Sequence, residues 1–132
     1  MTPSESSGRA GTSLSNDSIP VRGDVWLVNF DPTLGAEIRK TRPAIVVSSD
    51  GVGRLPLKLV APITEWKDAF QGCAWLVQID PDAQNGLSKP SAADTLQLRG
   101  MDLRRFVNRI GTLTPSLMNE IAAAIAIVVE HR

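Results

Sequence analysis

Short runs of β-forming residues follow one another through most of this chain, and they constrain its fold more than any other feature. Clusters of Pro, Gly, Asp and Asn separate the runs, which cover residues 24–30, 43–49, 57–63, 73–79, 93–98 and 106–110. Strands this short and closely spaced favour a compact, strongly bent antiparallel sheet or small barrel.

The end of the chain has a different pattern. Thr114 and Pro115 form a typical helix start, in which a side chain caps the helix and proline takes the first helical position. Apolar residues then recur at spacings of three and four, at Leu117, Ile121, Ala124, Ile125 and Val128. The pattern predicts one amphipathic helix from Pro115 to about Glu130, so the fold class is mainly β (α+β) with a C-terminal amphipathic helix.

The first residues differ in composition from the rest. Residues 1–20 contain six serines, two glycines and two prolines and almost no large apolar side chain. Such a segment cannot bury enough apolar surface to offset the entropy of ordering it. We therefore expect a disordered N-terminal tail at residues 1–20 and one domain at residues 21–132.

Composition excludes several classes of function. The formal net charge of the 132 residues is zero, so any nucleic-acid contact must come from a local basic cluster. The single cysteine, Cys73, and the single histidine, His131, cannot form a metal site or a Ser-His-Asp triad. No long apolar run or signal-like start is visible. We therefore expect no metal, no cofactor and no membrane contact, and a cytoplasmic location.

Four segments carry a more specific signal when taken in order. They are Gly23-Asp24-Val25-Trp26 leading to Phe30-Asp31-Pro32; Gly35-Ala36-Glu37 leading to Thr41-Arg42-Pro43; Ala61-Pro62-Ile63-Thr64; and Gln97-Leu98-Arg99 leading to Arg105 and Arg109-Ile110-Gly111. Together with the terminal helix they resemble the MazF/PemK (Kid-like) family of toxin endoribonucleases over residues 22–129.

The resemblance implies a fold, a reaction and a set of partners. It implies an SH3-like barrel, a symmetric homodimer and ribosome-independent cleavage of single-stranded RNA at short sequences. It also implies a type II toxin-antitoxin system, in which a cognate acidic antitoxin neutralises the protein. Within the site, it assigns catalysis to the arginine of the Arg-Pro pair before the second strand, here Arg42, assisted by the threonine that closes the third strand, here Thr64.

The chemistry of these residue types agrees with that assignment. RNA carries its own nucleophile, the 2′-OH beside the scissile phosphate, and attack builds negative charge that a guanidinium can bind through two parallel hydrogen bonds. Arginine stays protonated, which favours an electrostatic role for Arg42. A separate acceptor should activate the 2′-OH, and Glu37 is the candidate; the alternative is a salt bridge from Glu37 that orients Arg39 or Arg42.

Basic and aromatic residues suggest where RNA is held. The RNA-binding candidates are Arg39, Lys40, Arg99 and Arg105, with Arg104 and Arg109 nearby in sequence; the alternative for each is ordinary solvated surface charge. Trp26 and Trp75 lie in apolar runs and are expected in the core. Trp66 lies in a polar loop and is the tryptophan expected to stack on RNA or on the antitoxin.

The sequence departs from the family pattern at one place. Many members carry an acidic residue directly before the glutamine that corresponds to Gln97, but here that residue is Leu96. Asp94 lies two positions before Leu96, and in a strand the two would share a face, which makes Asp94 the candidate replacement.

Two other functions compete with RNA cleavage. A gyrase-poisoning toxin can use the same barrel, but that class relies on a C-terminal helix that ends in Trp and Ile, and this chain ends without a tryptophan. A non-catalytic SH3-like module that binds peptides needs an exposed aromatic groove, and this chain has no tyrosine.

Overall fold

The computed structural model describes residues 19–30, 41–52 and 55–131, and this part contains seven strands and one α-helix. The elements are β1 (Asp24–Asn29), β2 (Thr41–Val46), β3 (Leu57–Glu65), β4 (Leu76–Ile79), β5 (Ser91–Asp94), β6 (Arg99–Asp102), β7 (Phe106–Thr112) and α1 (Pro115–Val128). The mainly β fold class with a C-terminal helix is therefore confirmed. No helix of the described part is long and apolar enough to cross a bilayer.

Strand β3 is the longest and organises the sheet. The strands pair antiparallel in the order β4-β5-β3-β2-β1-β7, and β6 also pairs with β3. β2 occupies one edge of β3, with Ala44 opposite Pro62. The other edge is shared by β6, which pairs with residues 57–60, and by β5, which pairs with residues 63–65. The 3₁₀ turn Thr95–Gln97 connects β5 to β6 along that edge.

The loop after β4 joins the two ends of the sheet. The backbone N–H of Thr112, on the terminal strand β7, donates to the carbonyl of Gln84 at 2.9 Å. Two backbone N–H groups, of Gln84 and Asn85, donate to the Asp82 carboxylate at 2.8 and 2.7 Å and hold the loop in shape. Gly111 is required at the contact, because a Cβ there would collide with the carbonyl groups of Gln84 and Asn85. The sheet therefore curls into a barrel.

Two apolar clusters lie on opposite faces of the central strands. The first contains Ile45 and Ile63 and is covered by α1 through Met118, Ile121 and Ala124. The second is formed by Trp26, Val28, Ala44, Val46, Val60 and Met101, with Phe106 packed edge-to-face on Trp26 at 5.7 Å between ring centroids. The alternation of Ala44, Ile45 and Val46 between the clusters follows from the two-residue period of a strand.

Helix α1 begins as its sequence predicts. The Thr114 hydroxyl oxygen accepts a hydrogen bond from the Leu117 N–H at 3.2 Å, and Pro115 occupies the first turn. The helix ends at Val128, two residues before the predicted end at about Glu130.

Two strand predictions need correction. Residues 73–75 lie in a turn before β4, and Trp75, expected in the core, is 38% exposed. Residues 95–97 form a 3₁₀ turn in place of a strand, because the Asp94 side chain accepts a hydrogen bond from the Leu96 N–H and caps that turn. The strand β6 that follows was not predicted. Pro20, assigned to the tail, is buried.

Candidate active site

Arg42 and Thr64 are brought together by the pairing of β2 with β3. The last paired residues are Ala44 and Pro62, and continuing this antiparallel register by two residues places Arg42 opposite Thr64. By strand alternation, Arg42 shares a face with Ala44, and Thr64 shares a face with Pro62 and Val60. The two side chains therefore lie at the rim of the second apolar cluster, where both are exposed.

An open cleft of about 520 Å³ contains both residues. The polar members of its lining include Arg42, Thr64, Asp94 and Gln97, and the other members include Phe70, Cys73, Trp75 and Leu76. A cationic fork and a hydroxyl beside aromatic side chains are suited to a ligand that has both anionic groups and flat rings.

The guanidinium of Arg42 differs from those of two other arginines in its ion pairs. Within residues 19–30, 41–52 and 55–131 it makes no ion pair, whereas two other arginines do: Arg104 with Asp102 at 3.0 Å and Arg109 with Asp24 at 3.2 Å. The hydrogen bond from the Arg104 side chain also lowers the pKa of the Asp102 carboxyl. Arg104 and Arg109 are thus engaged within the protein.

Asp94 supplies a carboxylate to the cleft. Its Oδ1 accepts a hydrogen bond from the Leu96 N–H at 3.1 Å, and its Oδ2 accepts one from Gln97 Nε2 at 2.8 Å. The expectation that Asp94 and Leu96 share a strand face is wrong, because the chain leaves β5 after Asp94 and Leu96 is 60% exposed in the 3₁₀ turn. Asp94 nevertheless lines the same cleft as Arg42 and Thr64.

A second, smaller cleft adjoins the first. It has a volume of about 250 Å³, and its lining includes Pro43, Thr64, Glu65, Leu87 and Lys89. Lys89 Nζ lies 3.5 Å from Glu65 Oε1. Because Thr64 belongs to both linings, it marks the place where the two clefts meet.

The sequence profile of a family described as PemK-like, MazF-like toxin of type II toxin-antitoxin system matches residues 21–129. The chain belongs to this family.

Curated relatives lie in the same family. The chain is 28% identical to Endoribonuclease PemK of Escherichia coli, over 81% of this chain and 80% of the relative. It is 33% identical to Endoribonuclease toxin ChpB of Escherichia coli (strain K12), over 83% of this chain and 93% of the relative.

Solved structures share the fold. Mycobacterium tuberculosis toxin MazF-mt6 superposes with a TM-score of 0.64 at 25% identity, covering 81% of this chain and 96% of that chain. An endoribonuclease in complex with its cognate antitoxin from Mycobacterial species superposes with a TM-score of 0.66 at 18% identity, covering 86% and 98%.

Three of the residues that the family resemblance and the basic pattern singled out fall outside the described residues. They are Glu37, Arg39 and Lys40. They precede β2 and Arg42 directly in sequence, and their roles stay predictions.

Of the three arginines predicted to bind RNA, Arg99 and Arg105 are described, and neither belongs to the lining of the two clefts. The guanidinium of Arg99 lies 5.3 Å from the centre of the Phe30 ring, a cation–π geometry. Arg105 donates from Nη1 to the carbonyl of Asn29 at 3.3 Å. Both residues lie on the β6 and β7 side of the barrel, so an RNA that reaches them must extend beyond the cleft.

Two aromatic side chains that were not expected at the site line the cleft. Trp66 is half-buried and packs edge-to-face against Phe70, with 5.7 Å between ring centroids. Phe70 and Trp75 line the larger cleft and Trp66 does not, so the stacking role of Trp66 stays a prediction. Trp75 lies in the turn that the Leu76 N–H closes on the Cys73 carbonyl at 3.1 Å, directly before β4, and the apolar run around it gave no signal of this turn.

Proposed function

We propose that this protein is the RNA-cleaving toxin of a type II toxin-antitoxin system, a ribosome-independent, sequence-specific endoribonuclease that acts on single-stranded RNA in the cytoplasm. The observation that carries the proposal is that Arg42 and Thr64, from different strands, line one cleft with Asp94 and Gln97. The relatives PemK and ChpB are named endoribonucleases. No feature of the described residues favours gyrase poisoning or peptide binding over this reaction.

The reaction uses the nucleophile of the substrate. The 2′-oxygen forms a bond to the adjacent phosphorus, the bond from phosphorus to the 5′-oxygen breaks, and that oxygen takes a proton. The products are a 2′,3′-cyclic phosphate and a 5′-hydroxyl. Arg42 donates two hydrogen bonds to the non-bridging oxygens, where negative charge grows in the transition state, and the Thr64 hydroxyl donates to the same group.

The 2′-OH proton needs an acceptor, and Glu37 is our candidate because it lies in the segment that leads to Arg42. The two oxygens of Asp94 each already accept a hydrogen bond, which suits a residue that positions its neighbours. Glu37→Gln should remove the acidic limb of the pH–rate profile. Retention of that limb would assign Glu37 to an ion pair with Arg39 or Arg42 and place the base elsewhere.

The two adjoining clefts are suited to a polymer. With the scissile phosphate at Thr64, nucleotides on its two sides can enter the larger and the smaller cleft. Trp75 and Phe70 offer ring surfaces on which an unpaired base can stack. The interface would extend along the RNA through contacts from the other predicted RNA-binding residues, Arg39, Lys40, Trp66, Arg99 and Arg105.

We further propose that the toxin acts as a homodimer and is neutralised by a cognate acidic antitoxin. Leu57 and Leu59 share a face of β3 and are 49% and 38% exposed, which leaves apolar surface that a second copy can cover. An acidic, partly disordered antitoxin would compete with RNA for the basic residues and add apolar anchors near Trp66.

The mechanism is tested with an RNA that carries a single 2′-deoxy residue on the 5′ side of the cut. We expect no cleavage of this RNA and full activity on the normal RNA in EDTA. Arg42→Ala should slow cleavage about 100- to 1000-fold, as loss of one transition-state donor does, and Thr64→Ala should have a smaller effect. Arg104→Ala, which removes an arginine that pairs with Asp102 outside the cleft, is the matched control. Normal cleavage of the deoxy substrate, or loss of activity in EDTA, contradicts the mechanism.

A further inference from the structure

We infer that Gln97 reads one unpaired base of the substrate RNA and that Asp94 fixes the orientation in which the Gln97 amide does so. The inference rests on the proposed RNA cleavage and adds a base-binding subsite to it.

The first step is the orientation of the amide. Gln97 Nε2 lies 2.8 Å from Asp94 Oδ2. A carboxylate offers only acceptors at neutral pH, so the amide must turn its NH₂ group toward Asp94. The Gln97 Oε1 acceptor and the second Nε2 hydrogen then remain for a ligand. Without Asp94, the two ends of the amide could exchange places at little cost.

The second step is the rigidity of the support. Asp94 Oδ1 also accepts from the Leu96 N–H, so the carboxylate is held at two points. The 3₁₀ turn that carries Gln97 is anchored by Thr95, which is 1% exposed and donates from its backbone N–H and its hydroxyl to the Trp75 carbonyl at 3.0 and 2.7 Å. A reading side chain must be held in this way if it is to discriminate between similar ligands.

The third step is the position of the amide relative to the reacting groups. Gln97 is exposed and lines the cleft that also contains Arg42 and Thr64. Trp75 lines this cleft, is 38% exposed and is joined through its carbonyl to the turn that carries Gln97. A base stacked on the Trp75 ring can therefore present its edge to the amide.

The chemistry of the amide defines the ligand class. An acceptor beside a donor is complementary to a base edge that has a donor beside an acceptor, such as N6 and N7 of adenine, which Gln and Asn recognise through two hydrogen bonds. Unpaired bases of single-stranded RNA expose such edges. The subsite therefore takes one nucleobase near the scissile phosphate.

The test maps cleavage sites on a long RNA by sequencing the new 5′-hydroxyl ends. Wild-type protein should give a short consensus. Gln97→Ala should relax the base preference at one position of that consensus by between about 5- and 150-fold, which is the discrimination of one bidentate contact, and leave the other positions unchanged. Gln97→Glu, which replaces the donor with an acceptor, should alter the same position. Gln78→Ala, an exposed glutamine on β4 outside both linings, is the matched control.

Asp94→Asn tests the orienting role. The amide of Asn at position 94 offers a donor as well as an acceptor, so it no longer forces the Gln97 NH₂ group to face it. The base preference of cleavage should therefore weaken at the consensus position that Gln97→Ala affects and at no other. Binding can be measured with uncleavable 2′-deoxy oligonucleotides that differ only at that base. Wild-type protein should bind them with different affinities, and the Gln97 and Asp94 variants should bind them with similar affinities. This measurement does not depend on the cleavage rate.

The outcomes separate the two proposals. If wild-type protein cuts no RNA, the proposed function fails. If it cuts RNA but Gln97→Ala keeps the wild-type consensus and the wild-type binding preference, the base-reading role is overturned. If Asp94→Asn abolishes cleavage while Gln97→Ala remains active, Asp94 acts in the chemistry and the orienting role is overturned.

Discussion

Substitution of Asp24 should destabilise the barrel, because this buried carboxylate holds three donors from different parts of the chain. Asp24 is 3% exposed. Its Oδ2 accepts from the Val21 N–H at 3.0 Å and from Trp26 Nε1 at 3.1 Å, and its Oδ1 accepts from Arg109 Nε at 3.2 Å. The carboxylate therefore links the start of the domain to β7 and satisfies the indole of the second apolar cluster.

The magnitude for Asp24→Ala follows from what each donor can do afterwards. Trp26 is 4% exposed, so its N–H cannot reach water, and loss of a hydrogen bond to a charged acceptor costs about 1.5–3 kcal/mol. The side chain of Arg109 is 33% exposed, so its guanidinium can be solvated, and the lost ion pair adds only about 0–1 kcal/mol. The Val21 N–H lies in an exposed residue and can bind water. The expected loss is about 1.5–4 kcal/mol.

Urea unfolding followed by circular dichroism measures this loss, at one fixed protein concentration because an associating protein has a concentration-dependent stability. Asp50→Ala is the matched control, since Asp50 is exposed and, among the described residues, accepts one hydrogen bond, from the Arg22 N–H at 2.9 Å; it should change the free energy of unfolding by less than about 1 kcal/mol. A double-mutant cycle with Trp26→Phe should give a coupling energy of about 1 kcal/mol or more. An Asp24→Ala variant as stable as Asp50→Ala, or additive effects in the cycle, would refute the reasoning.

Four further predictions concern other parts of the molecule. Deletion of residues 1–19 should leave the melting temperature and the cleavage rate unchanged, and a large loss of either would mean that the tail packs on the domain. Gly111→Ala should lower the free energy of unfolding by about 1–3 kcal/mol or more through overpacking at the barrel closure, whereas Gly100→Ala, where a Cβ would meet nothing within 4 Å, should not. Sedimentation at micromolar concentration should show a dimer that Leu57→Asp weakens, and a wild-type monomer would contradict this. Antitoxin and RNA should compete for the toxin, and simultaneous binding without mutual weakening would show separate surfaces.

Strands and helix ends could be predicted from the sequence where a run of apolar residues or a capping residue determines the local structure. The strands β1 and β2 and their buried residues follow from their apolar runs, and the start of α1 follows from the cap at Thr114. The prediction of secondary structure failed where a single side-chain hydrogen bond outweighs the strand propensity of the neighbouring residues. Asp94 is the clearest case, because its hydrogen bond to the Leu96 N–H converts an apparent strand into a 3₁₀ turn.

The candidate site could be predicted in part. The resemblance indicated Arg42 and Thr64, and the structure places both in one cleft. It did not indicate that Trp75 would be exposed there, because an apolar run around a tryptophan looks the same whether the chain continues as a strand or turns first. The role of Gln97 was also hidden, since it depends on a hydrogen bond that exists only after the turn has formed.

The position of the cleft follows from the way in which β3 changes partners. Paired contact with β2 stops at Pro62, while on the opposite edge the partner changes from β6 at Val60 to β5 at Ile63. The 3₁₀ turn Thr95–Gln97 connects β5 to β6 along this edge. The C-terminal end of β3 therefore lies beyond its pairing with β2, and the connecting turn contributes polar side chains to the cleft at this end. The proposed transition-state donors, Arg42 and Thr64, and the proposed base-reading amide of Gln97 all lie on or beside β3. A change that shifts the register of β3 should therefore impair cleavage and base preference together, whereas Gln97→Ala should separate them.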